Sequence, residues 1–507
     1  MNMDDNFFIG IDVGTSSVKG VMTDAVGKIL SRSEREYILE VQGDRCELDA
    51  EEYWEKSKAV IHDLLQANVS IKGQVLALSF SSQGETLICV DQNGMPLRKA
   101  IVGHDNRSTE EALEIQEKFG AEEICYQTGQ PRVQALWPAT RIAWLRKHDQ
   151  DVFEKVNKFL LVEDYLIYRL TGKYATEHTL VSSTLYYDIR SMGWWDPMLQ
   201  HLGITKDKLP EVFPSGAKVG TTLDFVATET GLSPSTHIVT GAYDHVASAL
   251  GAGNFTEGSV SETTGTAMAM VVTLDRAIPN YVINIPMQCH AIPGKYLLFP
   301  HGQTAGFVLK WFKEQFCEGE LKRINSNGED VYDHLTSQAE TVPPGAEGLI
   351  MLPHLMGSGS PEFDTKAKGV FAGITSGTTR GHFIRAILEA VACMMKRNLD
   401  ALKTSGIVIK DVRTLGGGSK SKLWNQIKAD VSNFPVTAVQ GNDTAALGAA
   451  ILAATGAGFF SSLECACKKM VQLGHTYIPD QHQHKIYQSV YARYVNLTHT
   501  LEKFWSL

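Results

Sequence analysis

The stretch Ile9–Gly20 reads IGIDVGTSSVKG, and its reading decides the fold. An apolar run from Phe7 ends in one carboxylate, Asp12. Gly14, the hydroxyls of Thr15, Ser16 and Ser17, and the cation of Lys19 follow. Apolar residues on both sides of the turn predict two strands joined as a hairpin. Such a turn suits nucleotide phosphates: the glycine exposes backbone N–H groups, and hydroxyls and a cation meet phosphate oxygens. Asp12 cannot meet phosphate itself, since like charges repel; its expected partner is Mg²⁺, held through water. A Gly-Thr-Ser turn also serves as plain structure, so a second copy matters.

That copy is Gly258–Met270, GSVSETTGTAMAM, where Thr263, Thr264, Gly265 and Thr266 separate two strand-like segments. Two phosphate-type hairpins, one opening each half, predict a duplicated α/β architecture with a nucleotide cleft between the halves. The boundary is expected near Gly253, giving segments 1–253 and 254–507, with the last helix free to pack back on the first.

Bulk properties agree. At 507 residues the chain exceeds one ordinary core. A net charge of −10 argues against a nucleic-acid footprint but leaves room for a nucleotide, which needs one local cluster of donors. Of eight cysteines only Cys465 and Cys467 are close, a poor zinc set, so free thiols in a reducing cytoplasm are expected. MNMDDNFF lacks signal-peptide character, and no run is long enough to span a membrane.

Along the chain, Ala50–Leu65 has helical spacing, VLALSFSS (75–82) reads as a buried strand, and Gln134–Gly172 reads as two helices broken at Pro138 and at Lys147–Asp151. A helix from Gly381 to about Thr404 and a final one over Lys485–Leu507 are also expected. In TLGGGSKSKLWNQIKAD the triplet Gly416, Gly417 and Gly418 clears side chains for a flat base or ribose. The helix behind it adds N–H donors, with Ser419 read as its cap. GNDTAALGAAILAATGAG supplies a small-residue helix, read both as the adenosine side and as plain helix packing. Asp244, in GAYDHVAS, begins a helix after a strand; a first-turn carboxylate caps a helix and can still offer an oxygen to a hydroxyl.

Taken together, these segments resemble the FGGY carbohydrate kinases, of the actin/hexokinase/Hsp70-like (ribonuclease H-like) fold, over nearly the whole chain. The resemblance implies transfer of the ATP γ-phosphoryl to a hydroxyl of a small sugar, with Asp244 as base and Asp12 holding Mg²⁺. It places Gly14, Thr15, Ser16, Ser17, Lys19, Thr264, Gly265, Thr266, Gly306, Lys310, Gly416–Gly418 and Ser421 at the nucleotide. Gln83, Glu85, His104, Asp105, Arg107 and His245 are expected at the acceptor. Glu85 and Thr86 look like the glycerol-kinase version, yet Gly84 stands where that version has arginine. Asp105 and Arg107 fit W-x-D-x-R, with Gly103 in place of tryptophan. Two lost bulky side chains predict a roomier pocket, or one refilled by His104 or Trp137. The segments around Gly129–His148 and Ser182–Ser191 look most like xylulokinase-type members, so a ketopentose is the expected acceptor. A polyol, a deoxyhexulose, a signalling molecule and a non-catalytic actin-like switch stay open. So does a homodimer.

Overall fold

The structure, a computed structural model, describes residues 6–279, 281–317, 330–441 and 443–505. Met1–Asp5, Asn442, Ser506 and Leu507, parts of segments read above, lie outside the described residues. The first hairpin forms as the sequence predicts. β1 (Phe7–Val13) and β2 (Ser17–Thr23) run antiparallel, with Asp12 opposite Lys19. β3 (Ile29–Glu36) extends the meander, and α1 (Ala50–Gln66) covers it with Tyr53, Trp54, Val60, Ile61 and Leu64. Asp49 caps α1 by accepting from the Glu51 N–H.

β4 (Val75–Ser82) is almost wholly buried, as its unbroken apolar start requires, and lies parallel to β1 with Ser81 beside Asp12. β5 (Lys218–Thr221), β6 (His237–Val239) and β7 (Ala242–Tyr243) complete the sheet in the order β5-β6-β4-β1-β2-β3, with β7 on the end of β4. That register sets Ala242 beside Ser81 and Tyr243 beside Ser82. α2 (Asp244–Gly251) therefore begins at the strand ends that carry Asp12.

The second half repeats the plan. β8 (Ser259–Thr264), β9 (Met268–Leu274), β10 (Met287–Cys289), β11 (Tyr296–Leu298), β12 (Asp411–Leu415), β13 (Val436–Val439) and β14 (Leu473–Tyr477) run in the order β10-β11-β9-β8-β12-β13-β14. β8 is antiparallel to β9 and parallel to β12, as β1 is to β2 and β4. The duplication is thus written in strand pairing, not only in the turns. Its helices include α3 (Gly306–Phe316), α4 (Val331–Glu340), α5 (Arg380–Thr404), α6 (Lys422–Ser432), α7 (Thr444–Gly456) and α8 (Gln481–Trp505).

The halves meet through α7, which leaves the second sheet to lie on β1, β4 and α2. Backbone contact there leaves no room for side chains. A Cβ on Gly448 would sit 1.9 Å from the Ala247 carbonyl oxygen, and one on Gly251 would sit 1.9 Å from that of Thr444. The alanines and glycines of this helix serve packing. Phe8, Val239, Leu250, Ile451 and Leu452 fill the layer around them. α8 packs on α6, α5 and the strand Ile350–Leu352 of the second half.

Some local readings shift. Pro138 opens the helix Pro138–His148 instead of breaking one, since its missing N–H is harmless in a first turn. Gln150–Lys155, the strand Lys158–Leu160 and the helix Val162–Thr171 follow where one more helix was expected. All eight cysteines are free, seven of them buried. Among the described residues no helix is long and apolar enough to cross a membrane.

Candidate active site

The first phosphate-type turn is braced from three sides. The Gly14 N–H donates to the Ser17 carbonyl at 3.0 Å, the Tyr37 hydroxyl donates to the Gly14 carbonyl, and Gln83 Nε2 donates to that same oxygen at 3.1 Å. Thr15 and Ser16 stand in the turn, and Ser16 is exposed. Ser17 opens β2 and donates to Glu34 at 3.0 Å; Lys19 pairs with the same carboxylate at 3.4 Å. Asp12 accepts from Ser81 at 2.7 Å. Burial, with the nearby charges of Asp244 and Asp443, pushes its carboxyl up to about 6, although the Ser81 hydroxyl and Lys19 oppose the shift. A divalent cation would relieve that crowding of carboxylates. Among the described residues no three His, Cys, Asp or Glu side chains converge as a metal set. Mg²⁺ takes one or two carboxylates and completes its shell with water and phosphate.

On the acceptor side a cavity of about 160 Å³ lies between the halves. Glu85, Trp137, Tyr243 and His245 face it from the first half, and Phe299 and His301 from the second. Glu85 is pushed up to about 7, chiefly by burial and further by the Asp244 charge, with Arg141 opposing. The Tyr243 hydroxyl donates to Glu85 at 3.4 Å. Asp244 starts α2, and its Oδ1 accepts from the His245 N–H at 2.6 Å.

Several residues expected on this side already have partners within the protein. Gln83 spends its amide on Gly14 and, at 3.2 Å, on the Tyr53 hydroxyl, while its Oε1 accepts from Thr86 at 3.2 Å. It braces the phosphate turn instead of offering itself to a sugar. Asp105 accepts four bonds, from the Arg107 N–H at 3.1 Å, Arg107 Nε at 2.8 Å, Arg107 Nη2 at 2.7 Å and the Cys46 N–H at 2.6 Å, so no lone pair is left for a ligand. Arg107 reaches on to Glu47 at 2.7 Å. His104 is exposed. Nor is the space at Gly84 open. A Cβ there would lie 2.6 Å from both Ser183 Oγ and the Tyr243 ring, so Tyr243 has taken the room that glycine leaves.

Sequence reasoning missed Arg141, a fully buried cation on the helix Pro138–His148. It donates to the carbonyls of Glu85, Ile101 at 3.3 Å and Gly103 at 2.9 Å, tying both acceptor loops to one side chain. Burial lowers it to about 10. Its one legible signal was a lone arginine among apolar neighbours.

On the nucleotide side a cavity of about 560 Å³ is lined by Thr264, Gly265, Thr266, Gly306, Lys310, Gly417, Gly418 and Ser421, all expected there, and by Asp330, Tyr332 and Thr336 of the α4 region, which were not. The three glycines act differently. Gly416 adopts a φ of +73°, a Cβ on Gly417 would meet nothing within 4 Å, and one on Gly418 would strike Thr264 at 2.7 Å. Only Gly417 is an open cradle. Ser421, not Ser419, caps α6, accepting from the Trp424 N–H at 3.2 Å; the Ser419 hydroxyl closes the turn on the Gly416 carbonyl at 2.8 Å. Beneath Thr264 lies a pair with no exposure at all: Lys428 Nζ meets Glu262 at 2.6 Å, Thr264 Oγ1 at 2.7 Å and Thr414 Oγ1 at 3.2 Å.

Two like sheets, each with a hydroxyl-rich hairpin at a cleft, define the actin-like ATPase class of fold. The family comparison is more specific. The chain matches the N-terminal domain of the FGGY family of carbohydrate kinases over residues 7–251 and the C-terminal domain over 259–457. It belongs to that family and is a carbohydrate kinase. It is similar to a xylulose kinase of Bacillus subtilis (strain 168), 28% identical over 497 residues covering 97% of each chain. A gluconokinase of the same organism is also 28% identical, over 98% of this chain and 96% of that one. Among solved structures, a ligand-bound xylulose kinase from Lactobacillus acidophilus superposes with a TM-score of 0.88 at 25% identity, covering 99% of both chains.

Proposed function

We propose that the protein transfers the γ-phosphoryl of Mg·ATP to a hydroxyl of a small sugar, a ketopentose such as xylulose, with Asp244 as the base. The observation that carries this reading is the register that brings Asp12 and Asp244 to adjoining strand ends, close enough for the Asp244 charge to act on both Asp12 and Glu85, which lines the smaller cavity. Thr15, Ser16 and Lys19 from one side and Thr266 from the other meet the phosphates; Gly306, Lys310, Gly417 and Ser421 hold the rest of the nucleotide. Asp12 would hold Mg²⁺ through water, and the ion would supply charge neutralisation at the transferring group. Asp244 accepts the hydroxyl proton and keeps that oxygen in line. Because the transition state for phosphoryl transfer is loose, this positioning matters more than base strength. Closure of the halves excludes water and spares ATP from hydrolysis.

The test is ADP release with Mg·ATP over ketopentoses, deoxyhexuloses, polyols and aldonates, with Asp244→Ala as blank. Turnover on a ketopentose, absent in the variant, is the expected result; ADP release that ignores the acceptor would sink the reading. A pH dependence follows from Glu85. Below pH of about 7 its carboxyl is mainly protonated, and above it the carboxylate accepts hydroxyl bonds of the stronger, charge-assisted kind. The sugar KM is therefore expected to fall as pH rises through about 7, and Glu85→Gln to flatten that change. Titration of initial rates checks it.

A further inference from the structure

We propose that the side-chain carbonyls of Gln130 and Gln288, one from each half of the chain, grip hydroxyls of the acceptor and make the site selective for neutral polyhydroxy compounds over aldonates. The inference rests on the sugar-kinase reading above and adds to it a substrate class and two specificity-determining residues.

Both glutamines line the cavity of about 160 Å³. Gln130 is fully buried, and its Nε2 donates to the Ser182 carbonyl at 3.2 Å and the Met287 carbonyl at 3.4 Å. Those acceptors decide which way the amide faces, because turning it over would set carbonyl against carbonyl. Its Oε1 is left buried with no partner in the protein. Gln288, on β10, is 3% exposed, and its Oε1 is likewise buried and unpartnered. Buried polar atoms are paired as a rule, so two orphaned acceptors on one cavity mark places that a ligand's donors fill.

The rest of the lining points the same way. Glu85 adds a carboxyl group, and Asp244 stands close enough to push Glu85's proton affinity up. The Tyr243 hydroxyl is already donated to Glu85, and Trp137 Nε1 to the Arg132 carbonyl at 3.0 Å. No lysine or arginine is among the described residues that line the cavity. Arg132, outside it, donates to Asn284 at 2.9 Å and lies 4.0 Å over the Phe363 ring. Burial, Arg132 and His245 all hold the proton affinity of His301 down, so that ring adds no cation. A site rich in acceptors takes a ligand rich in donors. Sugar hydroxyls qualify; an ionised carboxylate only accepts, and it would face like charge at Asp244. Since Gln288 comes from the second half, the acceptor is held from both sides of the cleft.

The experiment compares wild type, Gln288→Met and Gln288→Lys on neutral ketoses, polyols and gluconate, reading initial rates and ligand-induced shifts in thermal unfolding. Wild type is expected to favour the neutral compounds. Gln288→Met, close in shape, should raise the KM for the best of them at least tenfold and leave the KM for ATP unchanged. Gln288→Lys should move kcat/KM toward gluconate. An unchanged sugar KM in Gln288→Met, or a wild type that prefers gluconate, overturns the proposal while leaving a carbohydrate kinase. A wild type that releases no ADP with any acceptor, yet is stabilised against heat by a neutral sugar and not by gluconate, would overturn the phosphorylation reading and support this one.

Discussion

Asp244→Asn is expected to lower kcat for sugar phosphorylation by about 10³-fold while Mg·ATP still binds. The substitution is nearly silent in shape. The oxygen that accepts from the His245 N–H at 2.6 Å is retained by the amide, so α2 starts as before. What is lost is an anion able to take a proton. The nucleotide cavity has no wall in common with this residue, so the ATP-induced shift in thermal unfolding should persist. A second readout follows from the charge removed. Asp244 raises the proton affinity of both Asp12 and Glu85, so the pH midpoint assigned to Glu85 should move below about 7 in the variant when sugar binding is followed. Loss of ATP and sugar binding together would remove Asp244 from its assigned role.

Lys428→Met is expected to destabilise the protein by about 3–5 kcal/mol, because it strands the Glu262 carboxylate with no exposure and no cation. The hydroxyls of Thr264 and Thr414 lose the same donor. Thr264 ends β8 and lines the nucleotide cavity, so the KM for ATP should rise as well. Glu262→Leu combined with Lys428→Met should recover most of the unfolding temperature, since well-packed apolar groups replace a buried ion pair at little cost. Thermal unfolding of the two single variants and the double one checks the pattern. A single variant as stable as wild type would mean that water reaches the pair.

Much of the fold was legible locally. The two hairpins are read from turn glycines, clustered hydroxyls and apolar flanks that are contiguous in sequence, and the structure pairs them in register. α5 begins one residue earlier than expected and α8 four, the ordinary imprecision of helix ends. Eight of the residues expected at the nucleotide line one cavity, and they lie on turns and helix starts where backbone, not a distant partner, sets the geometry. On the acceptor side several of the expected groups already have partners within the protein. Gln83 and Asp105 had the right chemistry for a sugar, but Gly14 and Tyr53 take up the Gln83 amide, and Arg107 with Cys46 takes up the Asp105 carboxylate. Arg141, Gln130 and Gln288 were not singled out, because what sets them apart is burial and partners distant in sequence.

The sequence by itself determined the class of chemistry: two phosphate-type turns, one magnesium-type carboxylate and one candidate base, each carried by residues adjacent in the chain. Tertiary structure alone decided which polar groups are left over for an acceptor. Hydrogen-bonding capacity is finite, and it is spent by partners dozens to hundreds of residues away. Thus the Gln83 amide is held by the Gly14 carbonyl, Gln130 is turned by the Met287 carbonyl, and Tyr243 fills the space at Gly84.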